Sequence, residues 1–331
     1  MSSLETKPAV SQKNSQVDKP QKQKARFSVA INTKGYQELI RNTLSDERRA
    51  NRFIANITSA VAVNADLQDC DASSILAAGL LGESLGLLPS PQLGQFYLVP
   101  FECRVKGPDG KAIVCIDESG NPIKDRNGRT VYLTEKKATF VVGYKGLTQM
   151  AMKSGVYADI DATEVMDGEY TGRDRMTGKP TFSFIEDYTE WKKTPVCGYM
   201  SFLEMTSGFR KVMYMPKDEM IDYADTYSPA FSKSAYEKIL RGEIADKDMW
   251  KYSSFWYKDF NAMARKTMLR QILTKWGILS DSLQDAFTHD GAVIEIDQNK
   301  NFIATHPEIL ELPEPEPVEL PKKVDLSAIP V

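Results

Sequence analysis

Four cysteines in 331 residues, Cys70, Cys103, Cys115 and Cys197, form no CxxC pair, and His289 and His306 cannot complete a zinc-ligand set with them. A disulfide scaffold and a zinc module are both excluded, and a reduced, cytosolic protein is expected. Long apolar runs are also scarce. The longest, Ile75 to Leu88, is broken by Glu83 and by Gly79, Gly82 and Gly86, so neither a membrane span nor a secretion signal is expected. A nucleotide-binding P-loop is missing as well. GRDRMTGK, from Gly172 to Lys179, has five residues between its glycines and Pro180 after its lysine, where a P-loop has four and a Ser or Thr. This argues against an ATP-driven machine.

Net charge is low, −3, but it is unevenly spread. Residues 1–26 carry six Lys/Arg against two acids, and 281–331 carry three against eleven, which leaves the centre near neutral. A neutral core can still present a basic groove. Both ends are poor in large apolar groups and the second contains ELPEPEPVELPKK, so neither can bury enough surface to offset its ordering entropy. The expected organisation is a disordered tail over 1–26, a folded core over 27–290 and an acidic, proline-spaced tail over 291–331. That last tail either competes for a basic groove, docks another protein or only aids solubility.

Helices are predicted over Thr33–Thr43, Glu47–Val63 and Ala72–Leu85, the third capped by Asp71 and stopped by Pro89 and Pro91. Phe96–Val105 and Ala138–Tyr144 read as strands. Between them KGPDGK, ESGNP and DRNGR are turn signals, so 106–136 reads as an inserted set of β-hairpins. A short helix follows, with Lys145, Gln149 and Lys153 spaced by four along one polar edge. Asp159–Val165, Thr181–Glu186, Gly198–Met205 and Arg210–Met215 are further strand candidates, and Pro216 opens a helix toward Tyr223, after which only helix and loop are expected. No internal repeat is evident. The order of helices, strands and helices makes this an α+β chain: N-terminal helices, a central, mostly antiparallel β-sheet with a short crossing helix, and C-terminal helices.

Two motifs suggest catalysis and fail on context. Gly82-Glu83-Ser84-Leu85-Gly86 matches GxSxG with His289 downstream, yet SSILAAGLLGES is helical in character, whereas a nucleophile elbow needs a preceding strand. Asp159, Asp161 and Glu164 suggest magnesium ligands of a nuclease, without a lysine-bearing motif beside them. More informative is FWYKDFNAMARKTMLRQILTKWGILS, Phe255 to Ser280, in which Ala262, Leu269, Ile272, Leu273 and Trp276 share one helical face. Arg265 falls inside that apolar sector, and Lys266 and Arg270 flank it as a cationic rail suited to a phosphate backbone. Asp259 is positioned to neutralise Lys266. Lys275 points elsewhere, and Trp256 and Trp276 read as core.

Together with LVPF at Leu98–Phe101 and ATFVVGYKGLTQMAMKSG from Ala138, this helix closely resembles the RecT family of phage and prophage single-strand DNA annealing proteins, over roughly Ala77 to Ser280. The hairpin insertion departs from the family, in which the flanking strands are joined more tightly. The resemblance implies annealing of complementary strands without ATP in homologous recombination, by a non-catalytic protein. It also implies homo-oligomeric rings or filaments, for which the helices from Thr33 to Leu88 are candidates for part of the interface. No cofactor is expected, magnesium having only a modulating part in DNA binding. Partners would be single-stranded DNA and the annealed duplex intermediate, a 5′-to-3′ exonuclease and the host's single-strand binding protein, in the bacterial cytoplasm. With the resemblance, the expected DNA contacts are Tyr144, Lys145, Gln149, Lys153, Arg265, Lys266, Arg270 and Lys275. Charge reversal of Lys266 and Arg270 should abolish annealing and spare the fold, and deletion of 291–331 should spare annealing. A passive single-strand protector and a metal-dependent nuclease are the competing classes.

Overall fold

Asp71 starts the helix on which the rest of the chain packs. Its carboxylate accepts from Ser74 N at 3.2 Å and caps α5, Ala72–Ser84, a helix apolar all round and therefore central. The computed structural model describes residues 26–306, apart from 45, 126, 127, 229, 298 and 300. Before α5 come α2 (Lys34–Thr43) and α3 (Glu47–Val63), close to the predicted spans, and two short helices that were not predicted, α1 (Phe27–Ala30) and α4 (Ala65–Gln68). A β-carbon at Gly79 would lie 2.1 Å from Ile57 Cδ1, and one at Gly82 would lie 2.4 Å from the Phe96 ring. Gly79 thus admits α3, and Gly82, the first glycine of the GxSxG match, admits a strand. Ser84 sits on the helix and donates to Leu81 O, not at an elbow.

The other face of α5 meets an antiparallel sheet of order β1-β2-β8-β9, made of β1 (Phe96–Arg104), β2 (Thr134–Val142), β8 (Ala292–Ile296) and β9 (Phe302–Thr305). Phe96 pairs with Val142 and Arg104 with Thr134, while Thr139 pairs with Val293. The last two strands correct the expectation of helix and loop alone after Tyr223, and they carry the folded part beyond 290. They are short and separated by a polar turn, so period-2 alternation scarcely registers. Removing 291–331 would strip this sheet of half its strands.

The insertion between β1 and β2 folds as three hairpins around two closed rings of backbone hydrogen bonds. Val105 N donates to Leu133 O, Leu133 N to Ile113 O and Ile113 N to Val105 O, and Cys115, Val131 and Ile123 repeat the pattern. Positive-φ glycines at 110, 120 and 128 turn the three arms, a local threefold repeat that was not expected.

The second half begins with α6, Tyr144–Lys153, and a three-stranded antiparallel sheet of order β3-β6-β7: β3 (Tyr157–Met166), β6 (Val196–Met205) and β7 (Arg210–Pro216). A separate hairpin, β4 (Tyr170–Arg173) with β5 (Pro180–Phe182), and α7 (Tyr188–Lys193) project between β3 and β6. The GRDRMTGK segment forms this hairpin's tip, with no helix behind it. Beyond β7 follow α8 (Lys217–Tyr227), α9 (Lys233–Leu240), a 3-10 turn (Asp246–Lys251), α10 (Phe255–Lys258), α11 (Phe260–Trp276) and α12 (Asp281–His289). α11 buries Ala264, Met268, Leu269, Ile272 and Leu273, and Tyr199 of β6 donates to Asn261 Oδ1 at 2.7 Å, which docks this helix on the sheet. One continuous apolar core runs from Phe27 to Ile294.

Candidate nucleic-acid interface

α6 starts where β2 ends because Gly143 and Gly146 let the chain pass close to another segment. A β-carbon at Gly143 would lie 2.1 Å from Gly94 O, and one at Gly146 would lie 2.1 Å from Gln95 O. The glycines of GYKG are therefore packing residues. The loop they admit, residues 86–95, lies along the polar edge of α6. Gln95 Nε2 donates to Gln149 Oε1 at 2.7 Å, and Gln149 Nε2 donates to Gly86 O at 3.3 Å. Gln149 is thereby occupied in holding the loop. Lys145 and Lys153 remain on this edge, exposed and without an ion pair among the described residues.

Tyr144 is half-buried and serves the edge of β3. Its hydroxyl accepts from Ala162 N at 3.1 Å and donates to Asp161 Oδ1. Burial and the Asp161 bond push the phenol well above its ordinary range, and nearby Arg265 pulls the other way. The two sequence stretches thus meet at β3: Tyr144 from α6 and Arg265 from α11. Engaged in this way, the Tyr144 hydroxyl positions the helix start.

On α11 the predicted cations have different surroundings. Asp259 does not neutralise Lys266; it caps the helix by accepting from Ala262 N at 3.0 Å. The neutralising group is Asp290, just past α12, whose side chain is only 7% exposed. It accepts from Lys266 Nζ at 3.2 Å, from Arg270 Nη1 at 2.7 Å and from Val142 N at 3.0 Å. Arg270 also donates to Phe287 O and lies over the Phe287 ring. The Lys266 side chain is 13% exposed. These two cations, expected as an open rail, are paired with Asp290 and tie α11, β2 and the end of α12 together. Reversing both charges would place anions against a buried carboxylate, so the fold would not be spared.

Arg265 differs from them. Its side chain is 41% exposed and faces Glu164 at 3.5 Å, a long contact with a partner that is itself 13% exposed. Lys275 is exposed near the end of the helix. The adjacent Trp276 is 45% exposed with Lys211 Nζ 3.9 Å from its ring centroid, whereas Trp256 is buried as expected. Asp161 and Glu164 are engaged with Tyr144 and Arg265, and no cluster of three metal-ligating residues occurs among the described residues.

One pair of residues was missed by the sequence reading. Tyr97 and Phe255 approach at 6.2 Å between ring centroids, and Phe255 is 54% exposed. A β-carbon at Gly94 would lie 3.3 Å from Tyr97 Oη and 3.5 Å from Lys145 Cδ, so this pair adjoins the α6 edge. Phe255 opens a four-residue helix far from Tyr97 in sequence, and no spacing rule links them. Aromatic rings, tilted 38° to each other, beside the exposed Lys145 are the two kinds of group that bind a single strand without reading its sequence.

Comparison with known proteins gives one family. The RecT family model matches residues 51–304. An uncharacterised protein of Bacillus subtilis (strain 168), YqaK, is 27% identical over 257 residues, which cover 77% of this chain and 67% of that one. Protein RecT of Escherichia coli (strain K12) is 27% identical over 139 residues, 42% of each chain.

Proposed function

We propose, from the premise that this chain belongs to the RecT family, that it binds single-stranded DNA and anneals it to a complementary strand without ATP, as an assembly of repeated copies. Family membership supports the coarser role in single-strand annealing and recombination. The observation that carries the finer reading is the exposed edge of α6, with Lys145 beside the Tyr97–Phe255 rings and Lys153 further along the helix, neither in an ion pair among the described residues.

The lysines hold phosphates, the rings stack on bases, and base edges stay free to pair. Arg265 joins them by exchanging its long contact with Glu164 for a phosphate, and Lys275 extends the path. Gln149 and Tyr144 act through position, and Lys266 and Arg270 act through the fold. One protomer spans few nucleotides, so stable coating needs neighbours on the same strand, and many weak contacts then add avidity. Of the helices from Thr33 to Leu88, α2 to α4 are our candidates for part of the contact between copies, since α5 is buried in the core. Of the 291–331 tail assigned to docking an exonuclease or the host's single-strand binding protein, residues 307–331 lie outside the described residues, as do residues 1–25 of the 1–26 tail. Among the described residues no helix is long and apolar enough to cross a membrane.

The test is a fluorescence annealing assay with complementary oligonucleotides, without nucleotide, with and without magnesium, followed also for strand length. Acceleration with strands intact in both conditions is expected. Slower pairing would indicate a passive protector, and shortened strands with magnesium would indicate a nuclease; either result overturns the reading.

A further inference from the structure

The projection made of β4, β5 and α7 has no part in the site above, yet it places aromatic rings in water. Phe184 is 55% exposed and Tyr188 is 66% exposed. Each lies parallel to a second ring: Phe184 to Phe182 at 5.5 Å and 11°, Tyr188 to Trp191 at 5.9 Å and 11°. The array is rooted in the sheet, since Tyr170 stacks on Tyr214 at 4.2 Å, and a β-carbon at Gly198 would lie 2.6 Å from the Tyr214 ring. Lys192 Nζ lies 4.5 Å from the Tyr188 centroid. The hairpin tip is fixed by Asp174, which accepts from Met176 N, Thr177 N and Thr177 Oγ1 and is thereby held below the usual carboxylate range. Around it Arg173, Arg175 and Lys179 are exposed without an ion pair among the described residues.

Charge alone does not define this surface. Residues 170–193 carry five cations against four acids, Asp174, Glu186, Asp187 and Glu190. Its distinguishing chemistry is the set of flat, pre-oriented rings, which recognise unpaired bases of any sequence. We propose that β4–β5 and α7 form a second surface for single-stranded polynucleotide, led by stacking, that receives the incoming strand while the α6 edge holds the first. This rests on the annealing role proposed above and gives it a place for the second strand.

The test uses the full chain with Phe184→Ala and Tyr188→Ala combined. Protein is loaded with one labelled strand, whose affinity is read by anisotropy, and the complement is then added and pairing is followed by energy transfer. First-strand affinity should stay within about threefold, and the pairing rate should fall about tenfold. The deficit should be nearly the same from roughly 50 to 200 mM salt, because the two substitutions remove stacking rings and no cation. Wild-type pairing rates in the variant would overturn the proposal. So would a deficit that tracks lost self-association in sedimentation, which would mark a protein contact. As a second measurement, oligodeoxythymidine should quench less fluorescence in Trp191→Phe than in the wild type when added in excess over the first site, and equal quenching would overturn the proposal. If the annealing role itself is wrong, the unmodified protein will fail to speed pairing, a result separable from either variant's.

Discussion

Helices α6 and α11 each carry cations at helical spacing, and they differ in where the fold supplies counter-charge. On α11 a single buried carboxylate, Asp290, takes both Lys266 and Arg270, and Glu164 stands by Arg265. On α6 no carboxylate approaches Lys145 or Lys153 among the described residues. A cationic stripe is therefore open to a ligand only where the fold leaves it unpaired. The same residue type that lies exposed on one helix ties three elements together on the other.

The contrast breaks most visibly at Asp290. Asp290→Ala leaves Lys266, Arg270 and Val142 N without their acceptor and should cost about 3 kcal/mol, read as a lower Tm and denaturant midpoint. Loss of DNA binding there should follow loss of fold. A stable Asp290→Ala protein would mean that the rail is not structural. A packing change at the start of α6 comes next: Gly146→Ala drives a methyl against Gln95 O, and about 1–3 kcal/mol of destabilisation is expected in thermal melts.

On the α6 side the effects are on binding. Lys145→Glu with Lys153→Glu should leave Tm unchanged and weaken single-strand affinity about tenfold or more by anisotropy. Phe255→Ala, beside the same edge, should weaken it by a smaller factor that barely depends on salt, since stacking releases few ions. The smallest effect concerns thiol chemistry. Burial pushes Cys70 up to about 12, against the pull of Lys136, so it stays a neutral thiol near pH 7. Mass spectrometry after brief alkylation of the folded protein should find it unmodified, while half-buried Cys115 reacts.

Much of the fold was legible because its signals are local. Asp71 before an Ala/Leu run, Pro89 and Pro91 after it, and the glycine-rich turns of 106–136 each act within a few residues, and α2, α3, α5 and β1 fall almost where they were expected. The last two strands were not legible, being only five and four residues long. The site was legible in part. Lys145 and Lys153 show their exposure through the helical repeat, but the partner of Lys266 lies twenty-four residues away on another element, nearer in space than the Asp259 that spacing suggests. Tyr97 and Phe255 meet only through tertiary packing, which no motif records.

The most direct measurement is the slope of log affinity for oligodeoxythymidine against log salt, taken for the wild type and for the Lys145→Ala, Lys153→Ala double variant. With two phosphate contacts removed, the slope should become shallower by about 1.4 at unchanged Tm. An unchanged slope in that variant, with a shallower one in a Lys266→Gln protein of wild-type Tm, would contradict the assignment of binding to the α6 edge and of structure to Lys266 and Arg270.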